Sequence, residues 1–167
     1  MKAIGFVGHS GAGKTTLIER LIGRFAQRGL SVSAVKHTHQ GFDLDRPGKD
    51  SFRLRAAGAG QVLIAGPQRW ALTTELHGAE PGLQRLLAEL APCDLVLVEG
   101  FRRDGSIPHI EVRATADSSA AAHSAQADHP RPVALVCDDP VDEAVPRFAR
   151  DDVEAIAAFI VRHLGMA

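Results

Sequence analysis

Residues Gly8-His9-Ser10-Gly11-Ala12-Gly13-Lys14-Thr15 have the spacing G-x-x-x-x-G-K-[ST], and each residue type there has a task in phosphate chemistry. Glycines let the backbone wrap so that its N–H groups point inward and form a nest for phosphate oxygens. A helix beginning at the end of the loop adds its dipole and its free N–H groups. Lys14 is long enough to reach β- and γ-phosphates, Thr15 carries a hydroxyl suited to Mg²⁺, and Thr16 falls on the α-phosphate side. His9, Ser10 and Ala12 complete the candidate loop. The context agrees: Ala3–Val7 reads as an apolar strand, and Leu17, Ile18, Leu21, Ile22 and Phe25 mark one face of a following helix that Gly29 would stop.

Such a site needs an acidic residue where a buried strand ends. Asp94-Leu95-Val96-Leu97-Val98-Glu99-Gly100 provides a near-continuous apolar run with a carboxylate at each end. Ligands of parallel sheets sit outside the carboxyl ends of the strands. Glu99 is at that end, whereas Asp94 lies roughly 16 Å away at about 3.3 Å per residue. The metal role therefore goes to Glu99, together with Thr15, and Asp94 reads as a solvated residue at strand entry.

A second strand, Ser31–Lys36, runs into the polar segment His37–Gly48. This segment must emerge on the nucleotide side and is a natural switch. Asp43 or Asp45 could orient a water or a second contact to Mg²⁺, with Asp45 the candidate catalytic carboxylate beside Lys14. Arg46 and Lys49 suit a phosphate or another anion, as does Arg102 behind Glu99. His37 and His39 supply at most half of a tetrahedral metal site, with no cysteine near to finish it. Base selection is less well marked. Val136-Cys137-Asp138-Asp139-Pro140 follows a late strand and offers Asp138 and Asp139, Asp139 being the candidate contact, but lacks the Asn/Thr-Lys that precedes such an aspartate in many GTP-binding proteins. Guanine preference does not follow from these residues.

The elements around these groups alternate short apolar runs with helical periods, as in α/β layers around a mostly parallel sheet. Lys49–Ala57 has helical spacing. Gln61–Ala65 and Arg69–Thr74 read as two strands joined at Gly66-Pro67. Pro81 opens a helix through Leu90, Ile107–Val112 and Val133–Val136 are further strands, and Asp152–Leu164 is an amphipathic helix with Asp151 and Glu154 as cap and box. Ala114–Arg131 is rich in Ala, Ser, His and Asp and reads as a mobile surface loop. At 167 residues the length suggests one domain. A formal charge of −1 and only eight aromatic side chains argue against a nucleic-acid partner. No apolar run approaches the roughly 20 residues that span a bilayer. The first residues are too short and glycine-rich a stretch for a secretory signal, and Cys93 and Cys137 form no C-x-x-C pair, so both read as small buried apolar residues in a cytoplasmic protein.

Beyond the phosphate loop, Val35-Lys36-His37-Thr38-His39, Phe42-Asp43-Leu44-Asp45, Pro47-Gly48-Lys49-Asp50-Ser51, Arg55-Ala56-Ala57-Gly58-Ala59 and Leu97-Val98-Glu99-Gly100-Phe101 together resemble the molybdopterin-guanine dinucleotide biosynthesis adaptor (MobB) family. The likeness runs over most of residues 1–113 and thins towards the end. It implies a three-layer P-loop NTPase fold with helices on both faces of the sheet, binding of GTP with Mg²⁺, and a feeble GTPase at most. It also implies a homodimer that assists a molybdenum cofactor guanylyltransferase acting on molybdopterin. Gly11, Gly13, Lys14, Thr15 and Thr16 carry over as phosphate and metal groups, Glu99 as their acidic partner, and Asp43–Ser51 as a switch or pterin loop. Two other readings share the phosphate loop. A small-molecule kinase would use Asp45 as base and 114–131 as lid, although arginine occurs only at that stretch's edges (Arg113, Arg131). A metal-insertion GTPase would need more ligands than His37 and His39.

Overall fold

The structure is a computed structural model that describes residues 1–38, 41–42, 44–114, 130–140 and 144–166. The chain divides into two compact units, residues 1–37 with 83–167 and residues 38–82, where length alone suggests one domain.

The larger unit is built on a six-stranded sheet in the order β2-β5-β1-β6-β7-β8. The strands are β1 (Lys2–Val7), β2 (Val32–Lys36), β5 (Leu95–Glu99), β6 (His109–Val112), β7 (Ala134–Val136) and β8 (Arg147–Phe148), with β3 and β4 belonging to the other unit. Every pairing in this sheet is parallel. Parallel strands need cover on both faces, and the side chains of β5 show it. Leu95 and Leu97 join one apolar cluster with Ile4 and Phe6 of β1, whereas Val96 and Val98 join another. Against the first face pack α1 (Lys14–Gln27), through Leu17, Ile18, Leu21 and Phe25, and α4 (Val153–His163), through Ile156, Ala157 and Ile160. Against the second packs α3 (Leu83–Ala88), with Leu83 fully buried and Leu87 beside it. The α/β layering expected from the sequence is present, with helices on both faces.

Several boundaries differ from the sequence reading. Strand β8 was not expected, because two residues carry no periodicity. The third helix covers only Leu83–Ala88 within the Pro81–Leu90 span. Helix α4 is capped by Asp152, which accepts from the Ala155 N–H at 3.1 Å, not by Asp151. Asp151 instead takes Arg20 of α1 at 2.8 Å, and Glu154 pairs with Arg24 and Arg28 rather than closing a capping box. These exposed pairs align α1 with α4 but contribute little stability each.

The smaller unit holds α2 (Asp50–Ala56) and an antiparallel hairpin of β3 (Gln61–Ala65) and β4 (Trp70–Thr74). Gly66 N–H closes the turn onto the Arg69 carbonyl at 2.9 Å, as the Gly66-Pro67 pair suggests. Among the described residues, no helix is long and apolar enough to cross a membrane.

Candidate functional site

The register of the sheet brings the candidate groups together. Phe6 of β1 and Lys36 of β2 both lie beside Glu99 of β5, so the three strands end in one row. The loop leaving β1 turns at Gly8, Gly11 and Gly13, with φ of +144°, +79° and +88°. Gly13 sits at the N-cap of α1, which has no side-chain cap and no acidic residue in its first turn. That leaves the positive end of the helix dipole facing the loop. At Gly8 a Cβ would lie 2.1 Å from the Val112 carbonyl oxygen, so this glycine is needed for close approach to β6.

Lys14 donates from Nζ to the carbonyls of Gly8 at 2.9 Å and His9 at 2.6 Å, folding its side chain over the loop. Burial holds its ammonium below the ordinary value, Glu99 opposing that shift and Lys36 adding to it. Thr15 donates its hydroxyl to Glu99 Oε2 at 2.9 Å. The hydroxyl and the carboxylate are hard oxygen donors of the kind Mg²⁺ takes, usually with waters and phosphates completing the shell. A cavity of about 320 Å³ opens among Ser10, Gly11, Lys14, Thr15, Lys36 and Glu99. A second, of about 260 Å³, lies among Gly13, Thr16, Arg20, Val136, Arg150 and Asp151. Gly13 and Thr16 line both, so the two cavities flank the start of α1. The first is at the small end of the size range of small-molecule sites.

Asp94 is at the opposite end of β5 and has a structural task. Its Oδ2 accepts from the Ser31 backbone N–H at 2.8 Å and the Ser31 hydroxyl at 2.6 Å, fastening the entries of β2 and β5. Those two bonds hold its carboxyl below the usual carboxylate range.

Asp45 lies in the smaller unit with its carboxylate committed. Oδ1 accepts from the Ser51 hydroxyl at 2.8 Å and the Arg46 N–H at 3.0 Å, and Oδ2 faces Arg55 at 3.5 Å. The Ser51 hydrogen bond is the main reason its carboxyl is held low, which makes it a weak base. Arg55 in turn reaches Glu75 at 2.7 Å. Asp45, Ser51 and Arg55, all inside the family-like stretches, thus knit the segment between β2 and β3. Arg46 and Lys49 are exposed, and Arg102 is half-buried. Asp43, His39 and residues 115–129 of the expected loop lie outside the described residues. His37 packs its ring against Phe101 at 4.4 Å, and among the described residues no cluster of three His, Cys, Asp or Glu side chains could hold a metal. Burial pushes the Cys137 thiol up, as suits a small core residue.

At the end of β7, Asp139 is exposed and Asp138 is occupied by Arg150. Asp138 accepts from the Arg150 backbone N–H at 3.0 Å and faces its Nε at 3.2 Å. The Arg150 guanidinium also donates to the Ala12 carbonyl at 3.1 Å and to the Arg113 carbonyl. One arginine from the turn before α4 therefore braces the phosphate loop and the ends of β6 and β7. Sequence reasoning missed it, because it belongs to no motif and sits 137 positions after Gly13. Lys36 was noted only as part of a motif; its place beside Glu99 is visible only through the strand register. Glu111 of β6 and Arg113, just past its end, form a buried pair at 2.9 Å. Its members alternate with core residues Ile110 and Val112, a pattern compatible with the period of the strand but not distinctive in sequence.

A family model described as molybdopterin guanine dinucleotide synthesis protein B matches residues 3–138. The molybdopterin-guanine dinucleotide biosynthesis adapter protein of Escherichia coli (strain K12) is 37% identical over 161 residues, covering 95% of this chain and 90% of that protein. The protein of the same description from Haemophilus influenzae is 44% identical over 110 residues, 64% of this chain and 60% of that one. Among solved structures, a crystal structure of molybdopterin-guanine biosynthesis protein B superposes with a TM-score of 0.77 at 34% identity, covering 97% of this chain and 99% of that one. Bacillus subtilis MobB superposes at 0.79 over all of both chains and, at 23% identity, supports the fold alone.

Proposed function

The chain belongs to the molybdopterin guanine dinucleotide synthesis protein B (MobB) family, and from that membership we propose that it is a GTP-binding adaptor for guanylyl transfer to molybdopterin. The observation that carries the nucleotide half is the Thr15–Glu99 contact, which joins the phosphate loop of β1 to the acidic end of β5. Backbone N–H groups of 8–13 and the Lys14 ammonium would hold the phosphates. Thr15 and Glu99 would hold Mg²⁺, which when bound neutralises charge on the phosphate oxygens. Preference for guanine is drawn from the relatives, since Asp138 is committed to Arg150 and Asp139, the base candidate, stands in a stretch without the Asn/Thr-Lys element. Hydrolysis, if it occurs, is slow: no glutamine follows Glu99, where Gly100-Phe101-Arg102-Arg103 stands, and Asp45 is a poorly basic carboxylate. A kinase reading would require Asp45 as its base and is disfavoured for the same reason.

The adaptor is proposed to act as a homodimer. On one face of the hairpin, Leu63, Ala65, Trp70 and Leu72 share a side by register and are all exposed. A two-stranded hairpin is marginal alone in water, and such a face gains by pairing with a second copy. Trp70→Glu should shift the protein to monomer in sedimentation velocity. Adaptor function is tested by reconstituting guanylyl transfer with a purified guanylyltransferase, molybdopterin and Mg·GTP. Addition of this protein should raise product yield and Lys14→Ala should not. Equal yield with and without the wild-type chain would refute the proposal.

A further inference from the structure

Lys36 stands where a cation would be expected and belongs to the protein. Its Nζ is 3.4 Å from Glu99 Oε1 and 3.3 Å from the Thr15 hydroxyl, while that hydroxyl donates to the other carboxylate oxygen, Oε2. The two side chains it touches are thus the two proposed above to hold Mg²⁺. Lys14, the other ammonium of the site, is directed at the Gly8 and His9 carbonyls, so it does not fill this position. The Glu99 side chain is only 14% exposed, and Lys36 is its ion-pair partner among the described residues. The Lys36 side chain is 61% exposed, so its stem can swing into solvent without disturbing the core. Its anchor cannot move as freely, since Lys36 is fixed in register with Glu99 and the next residue, His37, donates its N–H to the Glu99 carbonyl at 2.8 Å.

We propose that Lys36 is a tethered counter-ion that competes with the divalent metal for Thr15 and Glu99, and that its release is the step by which metal loading is felt at the end of β2. Mg²⁺ requires oxygen ligands at about 2.0–2.1 Å in a nearly ideal octahedron. An ammonium 3.3–3.4 Å from both donors lies in the space a bound metal would take, and its charge repels a divalent cation at that range. Glu99 therefore keeps a cationic partner in either arrangement. Lys36 leaves as the nucleotide and metal settle, and returns when they depart. This acts on residues that can transmit it. His37 packs its ring, tilted, against Phe101, which holds a positive φ of +52°, and Gly100 between Glu99 and Phe101 could not carry a side chain, its Cβ falling 2.8 Å from His37 Cβ.

The proposal rests on the Mg·nucleotide reading above, and the test separates the two. Full-length wild type, Lys36→Met and Lys36→Gln are saturated with GDP, and Mg²⁺ is titrated in by calorimetry. Thermal midpoints are recorded in EDTA and in excess Mg²⁺. The expected result is a several-fold lower half-saturating Mg²⁺ concentration in both variants. In EDTA the variants should melt below wild type, because Glu99 has lost its cation, and Mg²⁺ with GDP should remove that difference. An unchanged or higher Mg²⁺ requirement in the variants, with wild type binding normally, would overturn the competition and leave the nucleotide site standing. Wild type with no Mg²⁺-dependent GDP binding would overturn both.

Discussion

Two glycines of the phosphate loop should fail in different ways when replaced by alanine. Both have positive φ, +144° at Gly8 and +79° at Gly11, so each substitution carries a conformational penalty, about 1–2 kcal/mol at the left-handed φ of Gly11 and no less at Gly8. At Gly11 nothing lies within 4 Å of the added Cβ, so the penalty ends there. At Gly8 the Cβ would sit 2.1 Å from the Val112 carbonyl oxygen and 3.2 Å from its carbon. The obstacle is the backbone of β6, paired there with Val136 of β7, which no rotamer change can move. Relieving it means parting β6 from the loop by about 1 Å, and overpacking of this kind typically costs about 1–3 kcal/mol more, occasionally above that. Gly11→Ala should thus lose about 1–2 kcal/mol and Gly8→Ala about 2–5 kcal/mol. At roughly 2–4 °C per kcal/mol for a chain of this size, the difference is readable by calorimetry or by urea melts with unchanged slope. Equal losses in the two variants, or a Gly8→Ala protein as stable as wild type, would refute the close packing of the loop on β6.

Two further outcomes follow from the hydrogen bonds. Asp94 has its carboxyl held low by Ser31, so its stabilising contribution is present above the ordinary carboxylate range and disappears as pH falls through its lowered value in the folded protein. Asp94→Asn should therefore be less stable than wild type at neutral pH, with the gap closing in acid; a gap that persists unchanged at the acid end would contradict the cause assigned. Arg150→Ala removes the brace on Ala12 and the guanidinium that faces Asp138, while the backbone N–H at position 150 still reaches that carboxylate, so it should lose about 1–3 kcal/mol of stability and weaken nucleotide binding several-fold. Unaltered binding in a folded Arg150→Ala variant would show that the loop holds its shape without the arginine.

What could be read from the sequence was what local chemistry dictates. The strand–loop–helix around Lys14 is legible because glycine positions, GK-T spacing and the Leu17/Leu21/Phe25 face all point the same way. Glu99 is legible because a run apolar at every position, Leu95–Val98, means a strand covered on both sides, and its end is then fixed. What the sequence does not show is which partner each remaining carboxylate or lysine takes. Asp151 and Asp152 are equivalent as cap candidates until Arg20 of α1 claims Asp151. Asp138 looks like a base contact until Arg150, twelve residues on, claims it. Asp45 looks like a free carboxylate in a polar loop, but Ser51 and Arg55, on the helix that follows, turn it into an anchor. Lys36 gains its meaning from the parallel register of β2 on β5, which no local pattern encodes.

The central claim is that the loop from Gly8 to Thr15 binds a guanine nucleotide with Mg²⁺. The measurement that tests it most directly is calorimetric titration of wild type and Lys14→Ala with non-hydrolysable GTP and ATP analogues in Mg²⁺. The account predicts saturable binding that favours the guanine analogue and is lost in Lys14→Ala. Preference for the adenine analogue would contradict the base assignment drawn from the relatives, and binding retained by Lys14→Ala would contradict the site itself.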